Sequence, residues 1–204
     1  MRLMHLMAIL PAICLGGLSL GASSAEAQAR KFKVDPASSQ IQFVSDAPLE
    51  KFTGTLSNAN GQITVDPNAP SGTKGSVKVD VATIKTGIEL RDEHTKNESW
   101  LDAKKFPSAE FVITKVGGVD KLKAGEAVEA TVDGKFTLHG VTRDVTTKAK
   151  VRLVPAEDGK PEAIRIVGSF TIKLKDHNVS IPSIVALKVS PDIVVNVDLR
   201  ATAQ

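Results

Sequence analysis

Arg91-Asp92-Glu93-His94 is the densest group of chemistry-bearing side chains in the sequence. A forked guanidinium beside an imidazole, placed at an opening, can hold an anionic or polar head group, because Arg is a permanent donor and His can donate or accept. A plainer use fits the same residues: Arg91 and Asp92 tie a helix to neighbouring loops while His94 packs beneath it. Spacing leaves both open. A second group, His139-Gly140-Val141-Thr142-Arg143, reads as a strand end followed by a turn, where Gly tolerates a backbone that other residues resist. Together with His177 these histidines are numerous enough for zinc, but they stand far apart with no H-x-H or H-x-x-x-H spacing, so neither metal nor cofactor is expected. No G-x-S-x-G elbow, phosphate-binding glycine loop or dinucleotide fingerprint occurs either. The chain is therefore read as non-enzymatic, with a lipid-modifying enzyme using His94 or His139 as acid or base kept as a remote alternative.

The elements that must position these groups are strands. Runs with alternating apolar positions lie at 31–35, 40–45, 51–57, 61–66, 75–84, 109–115, 126–139, 144–154, 163–174 and 192–202, punctuated by Gly, Pro, Asn and Asp clusters. Val145, Thr147, Ala149, Val151 and Leu153 oppose Thr146, Lys148, Lys150 and Arg152, so one face is interior and the other wet. Antiparallel strands of this kind bury their apolar face by curling into a sandwich or barrel. The fold class is all-β. Inward positions are mostly small or β-branched, which suits either a filled core or an apolar cavity. Only 86–101 breaks the alternation. There Thr86 and Glu89 fit a capping box, and Leu90, His94, Asn97 and Leu101 share one face of a helix that ends before Pro107.

The chain has 204 residues, and 1–29 has the layout of a secretory signal peptide: Arg2, an uncharged run from Leu6 to Leu20, then small residues. That run holds Pro11 and is shorter than the roughly 20 residues that span a bilayer, so no stable membrane insertion is expected. Cleavage leaves one domain at 30–204. All three Met and the single Cys precede it, so the mature chain lacks sulfur. Disulfides, thiolate nucleophiles and iron-sulfur clusters are excluded. The net charge of +3 is small and spread out, which does not describe a nucleic-acid binder.

Arg91-Asp92-Glu93-His94, Trp100-Leu101-Asp102-Ala103, Phe106-Pro107-Ser108-Ala109-Glu110-Phe111 and Leu138-His139-Gly140-Val141-Thr142-Arg143 resemble, in order and spacing, the YceI-like family of bacterial periplasmic polyisoprenoid-binding proteins. Phe32-Lys33-Val34-Asp35, Phe52-Thr53-Gly54 and the closing strand from Val194 extend the resemblance over nearly the whole mature chain. It implies an extended, lipocalin-like antiparallel β-barrel of about eight strands with a short capping helix and an apolar tunnel for an isoprenoid or other long-chain lipid. Two departures stand out. Ser38-Ser39 and Asp46 occupy places where the family often carries His, and Asp144 replaces the usual Pro.

The expected function is a periplasmic carrier or sequestering protein. Val77, Val79, Val81, Phe111, Phe136, Leu138, Val145, Val151, Ile166, Phe170 and Ile172 would line the tunnel, with Arg91, Asp92, His94, His139 and Arg143 at its mouth. A filled β-barrel serving as a stress-related interaction or structural protein is the alternative. Either can exist as a monomer or a homodimer.

Two outcomes follow from the sequence. Protein recovered from the periplasm should begin at Arg30 or Gln28 by mass and titrate no thiol; retention of Cys14 would overturn the export argument. Val151→Lys places an ammonium on the inward face and should cost at least about 2 kcal/mol, or roughly 4 to 8 °C in Tm. Lys150→Val, on the wet face, should stay within about 0.5 kcal/mol. Equal damage from the two, measured by thermal melts, would refute the face assignment.

Overall fold

The computed structural model describes residues 29–204. The leader expected at 1–29 lies outside that span except for Ala29. Ten strands form: β1 Arg30–Val34, β2 Gln40–Asp46, β3 Lys51–Leu56, β4 Asn60–Val65, β5 Lys74–Asp80, β6 Ser108–Gly117, β7 Ala127–Leu138, β8 Val141–Val154, β9 Ala163–Lys173 and β10 Asp192–Ala203. One helix, α1, spans Glu89–Lys96.

Each strand coincides with an alternating run, and burial follows the alternation: Ala149, Val151 and Leu153 are buried while Lys148, Lys150 and Arg152 are exposed. All pairings within the sheet are antiparallel, in the order β1-β4-β5-β6-β7-β8-β9-β10, and β10 returns to β1 to close an eight-stranded barrel. Strand β10 pairs with β9 from Asp192 to Thr202. Its other edge is shared, Ile193 to Asp198 with β2 and Ala201 to Ala203 with β1. The β2–β3 hairpin thereby extends the wall beyond the ring. Lys85 covers its free edge, exchanging backbone hydrogen bonds of 2.8 and 3.0 Å with Thr55.

One interval of the wall is joined differently. Strands β8 and β9 pair only from Ala149↔Gly168 to Val154↔Ala163. Residues 141–148 pair with β7 alone, and 169–173 with β10 alone. Side chains bridge this seam: Thr147 Oγ donates to the Ser169 carbonyl at 2.6 Å, and His177 Nδ1 lies 3.0 Å from the Val141 carbonyl. Phe136 packs against both Phe170 and His177. At the top of the seam His139 and Gly140 make the two-residue β7–β8 turn, with φ of 50° and 73°. A Cβ at Gly140 would lie 2.5 Å from the Phe106 ring, so glycine is required there for space as well as conformation.

Two sequence expectations need correction. The run 75–84 stops as a strand at Asp80, whose carboxylate accepts from the Ala82 amide at 2.8 Å and starts a 3-10 turn at Val81–Thr83. Nor is there a capping box on α1. Ile88 occupies the N-cap without a side-chain bond, because Thr86 spends its amide and hydroxyl on Asp92 Oδ1 at 2.7 and 2.6 Å. The helix also ends at Lys96, so Asn97 and Leu101 belong to the following turns.

Asp92 is the pin of this helix, 3% exposed, with Lys85 Nζ at 3.8 Å. Burial by itself raises its pKa, but the Thr86 bonds, aided by Lys85 and Lys96, outweigh it and hold the carboxyl below its ordinary 3.8. Folding thus favours the charged form. The stability it contributes is complete above that ordinary value and drains away as pH falls through the lower folded-state value. Asp92→Ala should cost about 1.5 to 3 kcal/mol at neutral pH. In urea titrations the variant should lose less stability than wild type as the pH is taken below about 4. Parallel curves would show that Asp92 is not the pin.

Candidate ligand-binding site

The inward faces enclose a cavity of about 720 Å³, within the roughly 300 to 1,000 Å³ range of small-molecule sites. Val77, Val79, Val81, Phe111, Phe136, Leu138, Val151, Ile166, Phe170 and Ile172 all line it. Val145 does not; it is half-buried and packs against the core outside the cavity lining. In the depth of the cavity only Thr73 and Thr147 interrupt the hydrocarbon. The end near Pro70, Val116 and Leu122 is closed by buried residues, with the Leu122 amide bonded to the Pro67 carbonyl at 2.7 Å.

The other end is the mouth. Every exposed lining residue comes from two segments, Ile88, Leu90 and His94 around α1 and Pro182, Ile184 and Lys188 in the β9–β10 connection. The charged or titratable lining side chains, Glu50, Arg91, His94 and Lys188, are gathered there. Polar chemistry is thus sorted by depth: hydrocarbon within, ionisable groups at the opening.

Arg91 is held on three sides. Its Nε donates to Thr86 Oγ at 2.9 Å, Nη2 to the Thr86 carbonyl at 3.1 Å, and Nη1 to Glu50 Oε1 at 2.5 Å. The guanidinium carbon sits 3.9 Å above the Phe52 ring, so β3 supplies a cation–π floor. The ion pair joins α1 to the β2–β3 turn across the opening. Asp92 stands behind this layer on Thr86 and does not line the cavity.

His139 and Arg143 lie at the same end of the barrel but outside the cavity lining. His139 stacks edge-on against Phe106 at 4.6 Å, with Nδ1 3.1 Å from the His177 carbonyl. Arg143 donates to the neighbouring Thr142 carbonyl. His177 is 1% exposed. Burial lowers its pKa, the Arg143 charge adds to this, and the Val141 and Leu138 carbonyls and Asp176 only partly oppose it. It is a packing residue whose Nδ1 carries a hydrogen, since the Val141 carbonyl can only accept. Among the described residues no three His, Cys, Asp or Glu come together to hold a metal.

Sequence reading missed Glu50 and the 182–188 segment. Glu50 sits in a turn with no motif. Residues 182–188 carry Ile, Val and Leu without strand alternation, and an apolar run in a loop was the available signal.

The same architecture occurs in known proteins. The crystal structure of Burkholderia cenocepacia BcnA superposes with a TM-score of 0.68 at 25% identity, covering 83% of this chain and 99% of that one. A polyisoprenoid binding domain from Saccharophagus degradans, implicated in plant cell wall breakdown, gives 0.67 at 18% identity over 85% of this chain and 98% of its own, which is a likeness of fold. In sequence, a UPF0312 protein of Pseudomonas putida strain W619 is 31% identical over 186 residues, 89% of this chain and 92% of that protein. Protein YceI of Salmonella arizonae is 34% identical over 130 residues, 62% of this chain and 63% of its own. The model of the YceI-like domain matches residues 32–201, from the first barrel strand into the last, and the chain belongs to that family.

Proposed function

We propose that the protein is a periplasmic carrier that takes the chain of a polyisoprenoid-type lipid into the barrel and keeps its head at the mouth. The carrying observation is the 720 Å³ cavity, walled by hydrocarbon and ringed by ionisable groups only where it opens. Each methylene moved from water into such a wall gains about 0.8 kcal/mol, so a few isoprene units give useful affinity with no polar contact. Recognition of the tail is correspondingly loose. The polyisoprenoid binding domain of Saccharophagus degradans shares the fold and supports the choice of ligand class, and the leader supports the compartment. A filled barrel would not leave this space, and no reaction is required of His94 or of His139, which holds the β7–β8 turn.

At the mouth the roles divide. Arg91 is occupied by Thr86 and Glu50, whereas Lys188 is exposed, lines the opening and makes no ion pair among the described residues. We assign the head group to Lys188 and His94, and the seating of α1 to Arg91 and Asp92.

The test compares a polyprenyl phosphate with the matching polyprenol. Ala149→Phe fills the cavity from its buried wall and should weaken both at least about tenfold, the worth of roughly two methylenes. Lys188→Ala should weaken only the phosphate, by about tenfold or more. Arg91→Leu should lower Tm and weaken both alike. Unchanged affinities in Ala149→Phe would remove the ligand from the barrel. Native mass spectrometry of protein from its own periplasm, followed by organic extraction, identifies the natural cargo.

A further inference from the structure

Exposed apolar side chains are not scattered over this barrel. Of the seven large ones exposed among the described residues, Val112 and Val167 stand singly on the wall at 38% and 39%. The other five are Leu49 (68%), Ile88 (51%), Leu90 (60%), Ile184 (88%) and Leu187 (57%). All five belong to the three segments that frame the mouth. The Leu49 amide donates to the Leu187 carbonyl at 2.9 Å, joining the β2–β3 turn to the β9–β10 connection. Beside Leu49, Glu50 reaches Arg91 on α1, next to Leu90. Ile88, Leu90 and Ile184 also line the cavity, so the rim and the interior are one continuous apolar surface.

We infer that this rim docks on the surface of a phospholipid bilayer, so that a chain passes between membrane and cavity without crossing water. The inference rests on the carrier reading above for its purpose, but the docking surface stands on its own observations. Its apolar tips are all Leu and Ile. Protein interfaces concentrate energy in Trp, Tyr and Arg anchors, and the one Arg here is already spent on Thr86 and Glu50. Three cations at the rim are paired before contact, Arg91 by Glu50, Lys85 by Asp92 and Lys51 by Asp46, while Lys188 and the acidic Glu89 and Glu93 stay exposed with opposite signs. Ile184, the most exposed of the five, sits on a 3-10 turn behind Pro182, a tip able to enter the head-group layer. Continuity with the cavity selects the bilayer as occupant, since every methylene led through water carries a cost that contact removes.

The test uses protein recovered from the periplasm and shown by mass to have lost its leader, with vesicles of phosphatidylethanolamine containing a minority of phosphatidylglycerol and no isoprenoid. Wild type should float with the vesicles at low and high salt alike, because the contact is apolar. Leu49→Ser combined with Leu187→Ser, two exposed rim residues outside the cavity lining, should keep its Tm and reduce partitioning at least about tenfold. A fluorescent polyprenol embedded in the vesicles should then be taken up more slowly by the same factor, while its equilibrium binding from detergent is unchanged. Loss of binding from detergent with flotation intact would sink the carrier reading and sustain the docking surface. Wild type that fails to float, or a variant that floats equally well, overturns the inference. So does a wild-type dimer, seen by sedimentation, that the double substitution splits without altering flotation, since that assigns the rim to a second copy of the chain.

Discussion

The interior of this protein depends on both edges of β10 being paired. A curled sheet left open would expose a row of backbone donors and acceptors and wet the apolar face behind them. Strand β10 prevents this by lying on β9 along its length and giving its other edge to β1 at one end and β2 at the other. The division has a second effect. Pairing β2 with the first half of β10 brings the β2–β3 turn against the β9–β10 connection, where Ser45 Oγ accepts from the buried Ser190 amide at 2.9 Å. Glu50 and Leu49 reach the mouth because the barrel closes in this way.

Closure makes a dry space, and the side chains decide whether it is filled. Val, Ile and Ala dominate the walls, and the larger rings are packed against one another and against glycine: Phe111 lies over Gly134, and Phe43 over Gly54. Phe170 of β9 meets Phe136 of β7 and Phe111 of β6 at ring separations of 5.2 and 5.7 Å, and the cavity remains beside this cluster. An apolar cavity offers water no partners. Its walls lack contacts on one side, so an occupant of matching chemistry stabilises the fold by mass action.

Much of this was legible in the sequence because it depends on a period of two. Val77 and Val79 on β5, Ile166, Phe170 and Ile172 on β9, and Val151 on β8 line the cavity where alternation placed them. Alternation does not report where a strand loses its neighbour, and Val145 lies where β8 has parted from β9. Nor does local spacing show which partner a hydroxyl selects: Thr86 and Glu89 have capping-box spacing, yet the buried carboxylate of Asp92 is the stronger acceptor for Thr86. Arg91 and His94 were recognisable as mouth residues; Glu50, Lys188 and the apolar rim were not, because loops brought together by barrel closure leave no periodic trace.

The seam between β8 and β9 bears on how the barrel can change girth. Where two strands share a ladder their separation is fixed at about 4.8 Å, and widening the wall would break backbone bonds one after another. Along 141–148 the spacing is set instead by Thr147, His177 and the Phe136–Phe170 contact, which rotate or yield at far smaller cost. At this seam the wall is joined by side chains in place of a ladder. Substitutions at Phe136 or Phe170 act on this joint while strand number and register stay as they are.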